Sequence, residues 1–293
     1  HITMIDENRS RAPGNRTPPP PEIFMIKRIL RNISRPHLIP KKIFNKLQGF
    51  YLRKNYSRKK YVNEQEKIFL KLGLDRKEGL IKLDNLKATY SFIENPMSSE
   101  HQVLFASMSI KEKIIDVLEI GTFDGINAFL LSKLFDNAKI ETIDLDDRNL
   151  SFRESYGREG GDKFKIYCEK RDKILNLSKN ISFKKTNSMR LIFSDKKYDL
   201  IWIDGTHGYP VVTIDITNSL RLLKPNGIII CDDVWINKPQ TQDEIYNSIA
   251  TFETLTTLKN ANIIDFELIF KRLDEANNSN KRFRKFLAYA KSR

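Results

Sequence analysis

The sequence has few cysteines and no long apolar run, and each absence excludes a class of protein. Its two cysteines, Cys168 and Cys231, are too few for a disulfide framework, which favours a reducing, cytoplasmic compartment. No stretch approaches the roughly 18 apolar residues that a membrane-spanning helix needs. The first 21 residues are too polar and proline-rich for the core of a signal peptide. The composition, 40% hydrophobic and 30% charged, is typical of a globular protein.

Acidic residues are scarce at the N-terminal end of the chain. Residues 1–60 contain 15 Lys/Arg and 3 Asp/Glu, and therefore hold +12 of the net charge of +14. Apolar residues recur there at helical spacing between basic ones, which predicts short basic amphipathic helices. For residues 22–60 the sequence leaves several partners open: an anionic membrane surface, an acidic molecule, nucleic acid, or this protein's own catalytic domain or a second copy.

The chain divides into three predicted parts. Residues 1–21 read as a disordered leader, because four consecutive prolines favour polyproline II. Residues 22–96 form a basic, mainly helical extension, and residues 97–293 alternate strands with helices. That alternation predicts an α/β, Rossmann-like, doubly wound sheet that is mostly parallel. Seven strands are expected, the last two forming an antiparallel C-terminal hairpin: 113–121, 138–146, 181–188, 198–205, 227–235, 265–274 and 282–292.

Two loops of this domain carry further expectations. Thr241 and Glu244 fit a capping box that opens a helix. The stretch 147–164 contains three glycines, Gly157, Gly160 and Gly161, and exceeds what a strand-to-helix connection needs. It fits a lid over a substrate or a surface insertion equally well.

Acidic residues follow the predicted strands at their carboxyl ends. In open parallel sheets, ligands bind beyond those ends, where the strand order switches. Acids placed at random on the surface would not collect at one edge of the sheet, so the sequence predicts a functional site there. The acids are Glu119, Asp144, Asp204, Asp232 and Asp233.

The turn after the first strand, within VLEIGTFDGINA, contains two glycines. Gly121 and Gly125 have the spacing G-x-x-x-G, which differs from the dinucleotide fingerprint G-x-G-x-x-G and disfavours a pyrophosphate cradle. Without side chains, the backbone can approach an amino-acid or nucleoside group closely. Asp144, at the end of the second strand, is placed to accept hydrogen bonds from ribose hydroxyls.

Four stretches, VLEIGTFDGINA, IETIDLDD, YDLIWIDGTHGYP and LLKPNGIIICDDVW, resemble in sequence and order the motifs of class I S-adenosylmethionine-dependent methyltransferases. The resemblance covers about residues 97–291 and implies S-adenosylmethionine as cofactor. It places Glu119 and the two glycines against the methionine part of the cofactor and Asp144 against its ribose. The other implied cofactor contacts are Thr122, Phe123, Asn127, Leu145, Asn187, Ser188 and Asp204.

Three aspartates at neighbouring strand ends predict a metal site. Asp204, Asp232 and Asp233 would repel one another unless a cation lies among them. Oxygen ligands favour Mg²⁺ or Mn²⁺, and a substrate hydroxyl bound to such an ion loses its proton more easily. His207, three residues after Asp204, is the candidate general base.

This arrangement resembles that of catechol-type and macrolide-sugar O-methyltransferases. They carry an acid after strand four, an acidic or Asp-Asn pair after strand five, and a Lys or His base three residues beyond the first acid. The resemblance implies metal-assisted O-methylation of a hydroxylated small molecule, such as a glycoside, a polysaccharide precursor or a natural product. Asp-Gly-x-His in IDGTHGYP is closest to the sugar and natural-product branch.

Two other functions stay open at this stage. A nucleic-acid methyltransferase would use the basic arm for docking, although no Asn-Pro-Pro-Tyr-like motif follows strand four. A non-catalytic protein would use the same fold to bind S-adenosylmethionine or to dock on a membrane, which would make it peripheral to that membrane. A homo-oligomer is an expectation that fits any of these functions.

Overall fold

The computed structural model describes residues 56–93, 98–154, 161–237, 248–278 and 284–293, all within a compact unit that spans Leu52–Arg293. The predicted leader and the amphipathic helices of residues 22–55 lie outside the described residues. So do the capping box at Thr241 and residues 155–160 of the glycine-rich stretch. Among the helices that are described, none is long and apolar enough to cross a membrane.

Strands and helices alternate along the described chain. The strands are β1 (Asp116–Ile120), β2 (Lys139–Asp144), β3 (Ile181–Lys185), β4 (Tyr198–Ile203), β5 (Leu223–Trp235), β6 (Ile264–Phe270) and β7 (Lys285–Ser292). The helices are α1 (Arg58–Lys71), α2 (Arg76–Thr89), α3 (His101–Lys111), α4 (Ile126–Leu134), α5 (Leu150–Glu154), α6 (Gly161–Leu175), α7 (Val211–Leu222), α8 (Ala250–Asn260) and α9 (Glu275–Asn278). A 3₁₀-helix covers Ser188–Phe193.

All seven strands form one sheet with the order β3-β2-β1-β4-β5-β7-β6. Strands β1 to β5 pair in parallel, whereas β7 is antiparallel to both β5 and β6. The predicted fold, including the antiparallel C-terminal hairpin, is confirmed. Because the order reverses between β1 and β4, a crevice opens at the carboxyl ends of these strands.

Each face of the sheet is covered by its own hydrophobic core, since successive side chains of a strand point to opposite faces. On one face, Val117, Leu200 and Ile230 pack with apolar residues of α1 to α4 and α6. On the other face, Leu118 and Ile201 pack with α7 and α8. Covering on both sides explains why the central strands are continuous apolar runs.

The first described helix is fastened to the outer edge of the sheet. The fully buried Gln65 in α1 donates from Nε2 to the carbonyl oxygen of Phe270 (3.0 Å) and accepts from the Phe270 N–H at Oε1 (3.0 Å). Arg76, at the start of α2, donates to both carboxylate oxygens of Glu100 at 2.6 and 2.7 Å. These contacts fix the end of β6, which borders the site.

Candidate functional site

A cleft of about 240 Å³ lies at the carboxyl ends of β1, β2 and β4. It combines the backbone of two glycines, several hydroxyl groups and two carboxylates, which suits a polar ligand with a small apolar part. Its lining residues are Ile120, Gly121, Ile143, Asp144, Leu145, Ser151, Thr186, Asn187, Ser188, Met189, Gly205, Thr206, Val211 and Asp215.

Glycine is required at position 121 by the sheet itself. Gly121 has φ +102, and a Cβ atom there would lie 2.3 Å from the carbonyl oxygen of Asp204. The end of β1 can therefore contact the turn after β4 only because no side chain intervenes. Gly125, with φ +79, packs against Leu175, whose side chain would be 3.0 Å from an added Cβ. The close contact at Gly121 brings the β1 turn and the β4 turn together at the cleft.

Glu119 lies behind the cleft and does not line it. Its carboxyl group is fully buried and accepts hydrogen bonds from Asn127 Nδ2 (2.7 Å) and Thr142 Oγ1 (2.5 Å). Burial raises the pKa of Glu119 to about 8, although the two hydrogen bonds oppose the change. The group is therefore largely protonated at neutral pH. Five other predicted cofactor residues are also absent from the lining: Thr122, Phe123, Gly125, Asn127 and Asp204.

Asp144 holds the position predicted for a ribose-binding acid. Its Oδ2 accepts a hydrogen bond from the Phe123 N–H (3.0 Å) and its Oδ1 from the Leu145 N–H (2.8 Å). These contacts orient the carboxylate at the cleft.

Asp215 also lines the cleft and was not singled out from the sequence. It lies in α7 and is only 1% exposed, and its Oδ1 has no hydrogen-bond partner among the described residues. Burial raises its pKa to about 6, partly offset by a hydrogen bond with Ser188. A buried acceptor without a partner is costly, so Asp215 is suited to accept an N–H from a ligand. An aspartate inside the apolar run VVTIDIT was the available signal.

The three aspartates of the predicted metal site do come together. Asp204 follows β4, and Asp232 and Asp233 lie where the register of β5 with β7 shifts, between Cys231 and Val234. Asp233 has φ +49, in the left-handed region. A bulge of this kind redirects side chains at a strand end and here turns both carboxylates towards the C-terminal hairpin.

Two lysines of that hairpin occupy the space beside the aspartates. Lys271 Nζ lies 2.7 Å from Asp232 Oδ2 and also donates to Asp233 Oδ1. Lys285 Nζ lies 2.5 Å from Asp233 Oδ2. Burial opposes a charge on Lys271, but the neighbouring aspartates outweigh it and raise its pKa. Burial likewise opposes ionisation of Asp232, but Lys271 above all holds its pKa below the ordinary range.

This arrangement does not fit the predicted divalent cation. The described part of the chain contains no group of three or more His, Cys, Asp or Glu side chains close enough to hold a metal ion. An ion placed between Asp232 and Asp233 would also lie against the Lys271 ammonium, and like charges in a buried site repel strongly.

Asp204 faces the same cluster but is more accessible. Desolvation and the negative charges of Asp232 and Asp233 raise its pKa. Because 39% of its side chain is exposed, solvent screens part of this effect. Asp204 is therefore the carboxyl group of the cluster that an incoming ligand meets most readily.

His207 is buried at the same edge, with its Nε2 3.7 Å from Asp204 Oδ1 and 4.0 Å from Asp233 Oδ2. Burial lowers the pKa of His207, although Asp233 and Asp232 oppose the change. The ring is therefore neutral at pH 7 and able to accept a proton. His101 reaches the site from α3: its ring stacks on Trp202 at 5.4 Å, and burial lowers its pKa to about 4.

Comparison with known proteins places these features in a class. Residues 118–234 match the family described as "Methyltransferase domain"; this segment includes the cleft-forming turns, all three aspartates and His207. Over these residues the chain is similar to methyltransferase domains. The match supports the class I, S-adenosylmethionine-dependent methyltransferase that the motifs predicted.

Solved structures with a similar course include an O-methyltransferase from Bacillus cereus in complex with SAH (15% identity, 73% of this chain, 90% of that chain, TM-score 0.47). Another is the O-methyltransferase TomG from Streptomyces achromogenes in complex with SAM (13% identity, 78% of this chain, 97% of that chain, TM-score 0.46). A third is the N-methyltransferase NodS from Bradyrhizobium japonicum (14% identity, 68% of this chain, 97% of that chain, TM-score 0.45). No curated protein matches the chain.

The cleft fits the cofactor of this class. Asp144, which the motifs predict to bind the ribose, lines this cleft, and the partnerless oxygen of Asp215 can accept an N–H from a ligand. Of the predicted cofactor residues, five line the cleft: Gly121, Asp144, Leu145, Asn187 and Ser188. Asp204 is next to its lining residue Gly205.

We expect Asp215→Asn to weaken binding of S-adenosylhomocysteine about tenfold, because a buried carboxylate acceptor contributes roughly 1.5–3 kcal/mol to a hydrogen bond. Isothermal titration calorimetry at pH 7.5 measures this. The matched control is Asp146→Asn, which removes an exposed carboxylate paired with Arg148 outside the cleft lining and should leave the affinity unchanged. Equal affinities for wild type and Asp215→Asn would show that Asp215 does not contact the ligand.

Proposed function

We propose that the protein transfers a methyl group from S-adenosylmethionine to a hydroxyl oxygen of a small molecule, with His207 as the general base. The observation that carries the proposal is the position of His207. It follows Gly205 and Thr206, which line the cofactor cleft, and its neutral ring faces the carboxylate cluster. The turn after β4 thus carries the proposed base and also borders the cofactor cleft.

The reaction needs one proton acceptor. S-adenosylmethionine, when bound, supplies a methyl group on a sulfonium. As the acceptor oxygen forms its bond to the methyl carbon and the sulfur–carbon bond breaks, the hydroxyl proton passes to Nε2 of His207. The products are a methyl ether, the neutral thioether and a protonated imidazole.

The surroundings of His207 favour that proton transfer. Asp204 Oδ1 and Asp233 Oδ2 lie within 4.0 Å of Nε2, so carboxylate groups face the nitrogen that becomes charged. Burial keeps the ring neutral before the reaction, and nearby acids stabilise the cation that forms during it. Both effects act in the direction that a general base requires.

The acceptor is proposed to be a molecule with neighbouring hydroxyl groups: a glycoside, a polysaccharide precursor or a natural product. Carboxylate oxygens accept hydrogen bonds from hydroxyl groups, and the partly exposed Asp204 offers such an acceptor beside His207. A second hydroxyl bound there would hold the reacting one near the base.

The proposed reaction proceeds without the metal ion that the sequence predicted. The residues that would hold the ion, Asp232 and Asp233, are paired with Lys271 and Lys285. No step is therefore assigned to Mg²⁺ or Mn²⁺.

The expected partners of residues 22–60, a membrane surface or an acidic molecule, stay predictions, because residues 22–55 lie outside the described part of the chain. The same holds for docking of nucleic acid and for a homo-oligomer.

We expect His207→Gln to lower kcat by about 10²–10⁴-fold, the usual contribution of a general base, while S-adenosylhomocysteine binding stays unchanged. S-adenosylhomocysteine release with 3,4-dihydroxybenzoate and a methyl glycoside as acceptors measures the rate. Tyr209→Phe is the control, since the Tyr209 hydroxyl lies at the surface, where it donates to Glu253 at 3.0 Å. Full activity of His207→Gln would exclude this residue as the base.

The rate should fall on the acid side of the pH profile. Because burial lowers the pKa of His207 below 6.5, the base stays neutral at pH 7 and is protonated only at lower pH. Values of kcat/KM measured from pH 5 to 8 should be flat near neutrality and drop below pH 6.5, and this acid limb should be missing in His207→Gln. A limb centred above pH 7 would contradict a lowered pKa.

A further inference from the structure

Lys271 is the least expected residue of the site. Lysine is almost never fully buried unless it is paired, yet Lys271 is only 4% exposed and lies beside the reaction centre. Its two hydrogen-bond partners there, Asp232 and Asp233, were predicted to bind a metal ion. The Lys271 ammonium thus occupies the position for which the sequence predicted a divalent cation.

The backbone of Lys271 is fixed from three directions. Its N–H donates to the carbonyl oxygen of Lys285 (3.1 Å), and its own carbonyl accepts from the Glu100 N–H (2.8 Å). The preceding residue, Phe270, is bonded through both backbone groups to Gln65. Withdrawal of the ammonium from the aspartates would therefore require rotation of the side chain within a closely packed surrounding.

The charges of the cluster are nearly balanced as they stand. The three carboxylates of Asp204, Asp232 and Asp233 lie with the two ammonium groups of Lys271 and Lys285. A divalent ion added to this set would bring two more positive charges against two ammonium groups. Burying a cation requires partners that are not already paired, and here one oxygen of Asp232 and both oxygens of Asp233 already accept from the lysines.

We propose that Lys271 takes the place of a divalent cation in this site, so that the site binds no metal and methyl transfer is independent of it. Lys271 acts as a positioning residue: it neutralises Asp232 and Asp233 and holds them next to His207. The catalytic part of this inference rests on the proposed function. The binding part rests only on the geometry of the lysine and the aspartates.

Mn²⁺ titration followed by electron paramagnetic resonance tests the binding part without any acceptor. Wild type should show no Mn²⁺ site that depends on Asp232. Lys271→Ala frees the carboxylates and should bind one Mn²⁺ at least tenfold more tightly than wild type. Lys271→Ala combined with Asp232→Asn should lose that site again.

Lys285→Ala is the matched control. It also removes an ammonium from Asp233, but it leaves Lys271 in place and should gain no site. The proposal is overturned if wild type binds Mn²⁺ and Asp232→Asn weakens that binding. It is also overturned if folded Lys271→Ala gains no site. If Lys271→Ala does not fold, the wild-type titration decides alone.

Chelation separates this inference from the proposed function. Turnover of 3,4-dihydroxybenzoate or a methyl glycoside by wild type should be unchanged in excess EDTA, and loss of turnover there would overturn metal independence. If no acceptor is methylated at all, the proposed function fails, yet the Mn²⁺ titrations still test the role of Lys271.

Discussion

The contact between the Lys271 ammonium and the carboxylates of Asp232 and Asp233 is the constraint on which the site depends. It joins the antiparallel hairpin β6–β7 to the end of β5, and so connects the C-terminal part of the chain to the strands that carry the chemistry. Without a cation there, two adjacent buried carboxylates would be unstable. The same contact decides which of the site's groups stay free to meet a ligand.

In the proposed reaction, those groups divide into a cofactor side and an acceptor side. The cofactor side is the cleft at the ends of β1, β2 and β4, which Asp144 and Asp215 line. The acceptor side is formed by His207 and Asp204, which follow β4 directly. Because Gly121 allows the β1 and β4 turns to touch, both sides meet at one edge of the sheet, as methyl transfer in a single displacement requires.

Much of this architecture could be read from the sequence. The alternation of strand-like and helix-like segments identified the seven strands, and the position of acids after the apolar ones identified the functional edge, because parallel strands end on the same side. The sequence could not show what pairs with the acids. Lys271 lies within a predicted strand, 39 residues from Asp232, and only the register of the hairpin and the bulge at 232–233 bring the two together. Similarly, a motif cannot show that the carboxyl group of Glu119 is buried and accepts hydrogen bonds from Thr142 and Asn127.

The most direct test of the account is a crystal structure of the protein grown with S-adenosylhomocysteine and Mn²⁺, with data collected at the manganese absorption edge. The account predicts S-adenosylhomocysteine in the cleft beside Asp144 and Asp215. It also predicts no anomalous peak among Asp204, Asp232 and Asp233, where the Lys271 ammonium should remain. A manganese peak bonded to these carboxylates, with the side chain of Lys271 turned away, would contradict it.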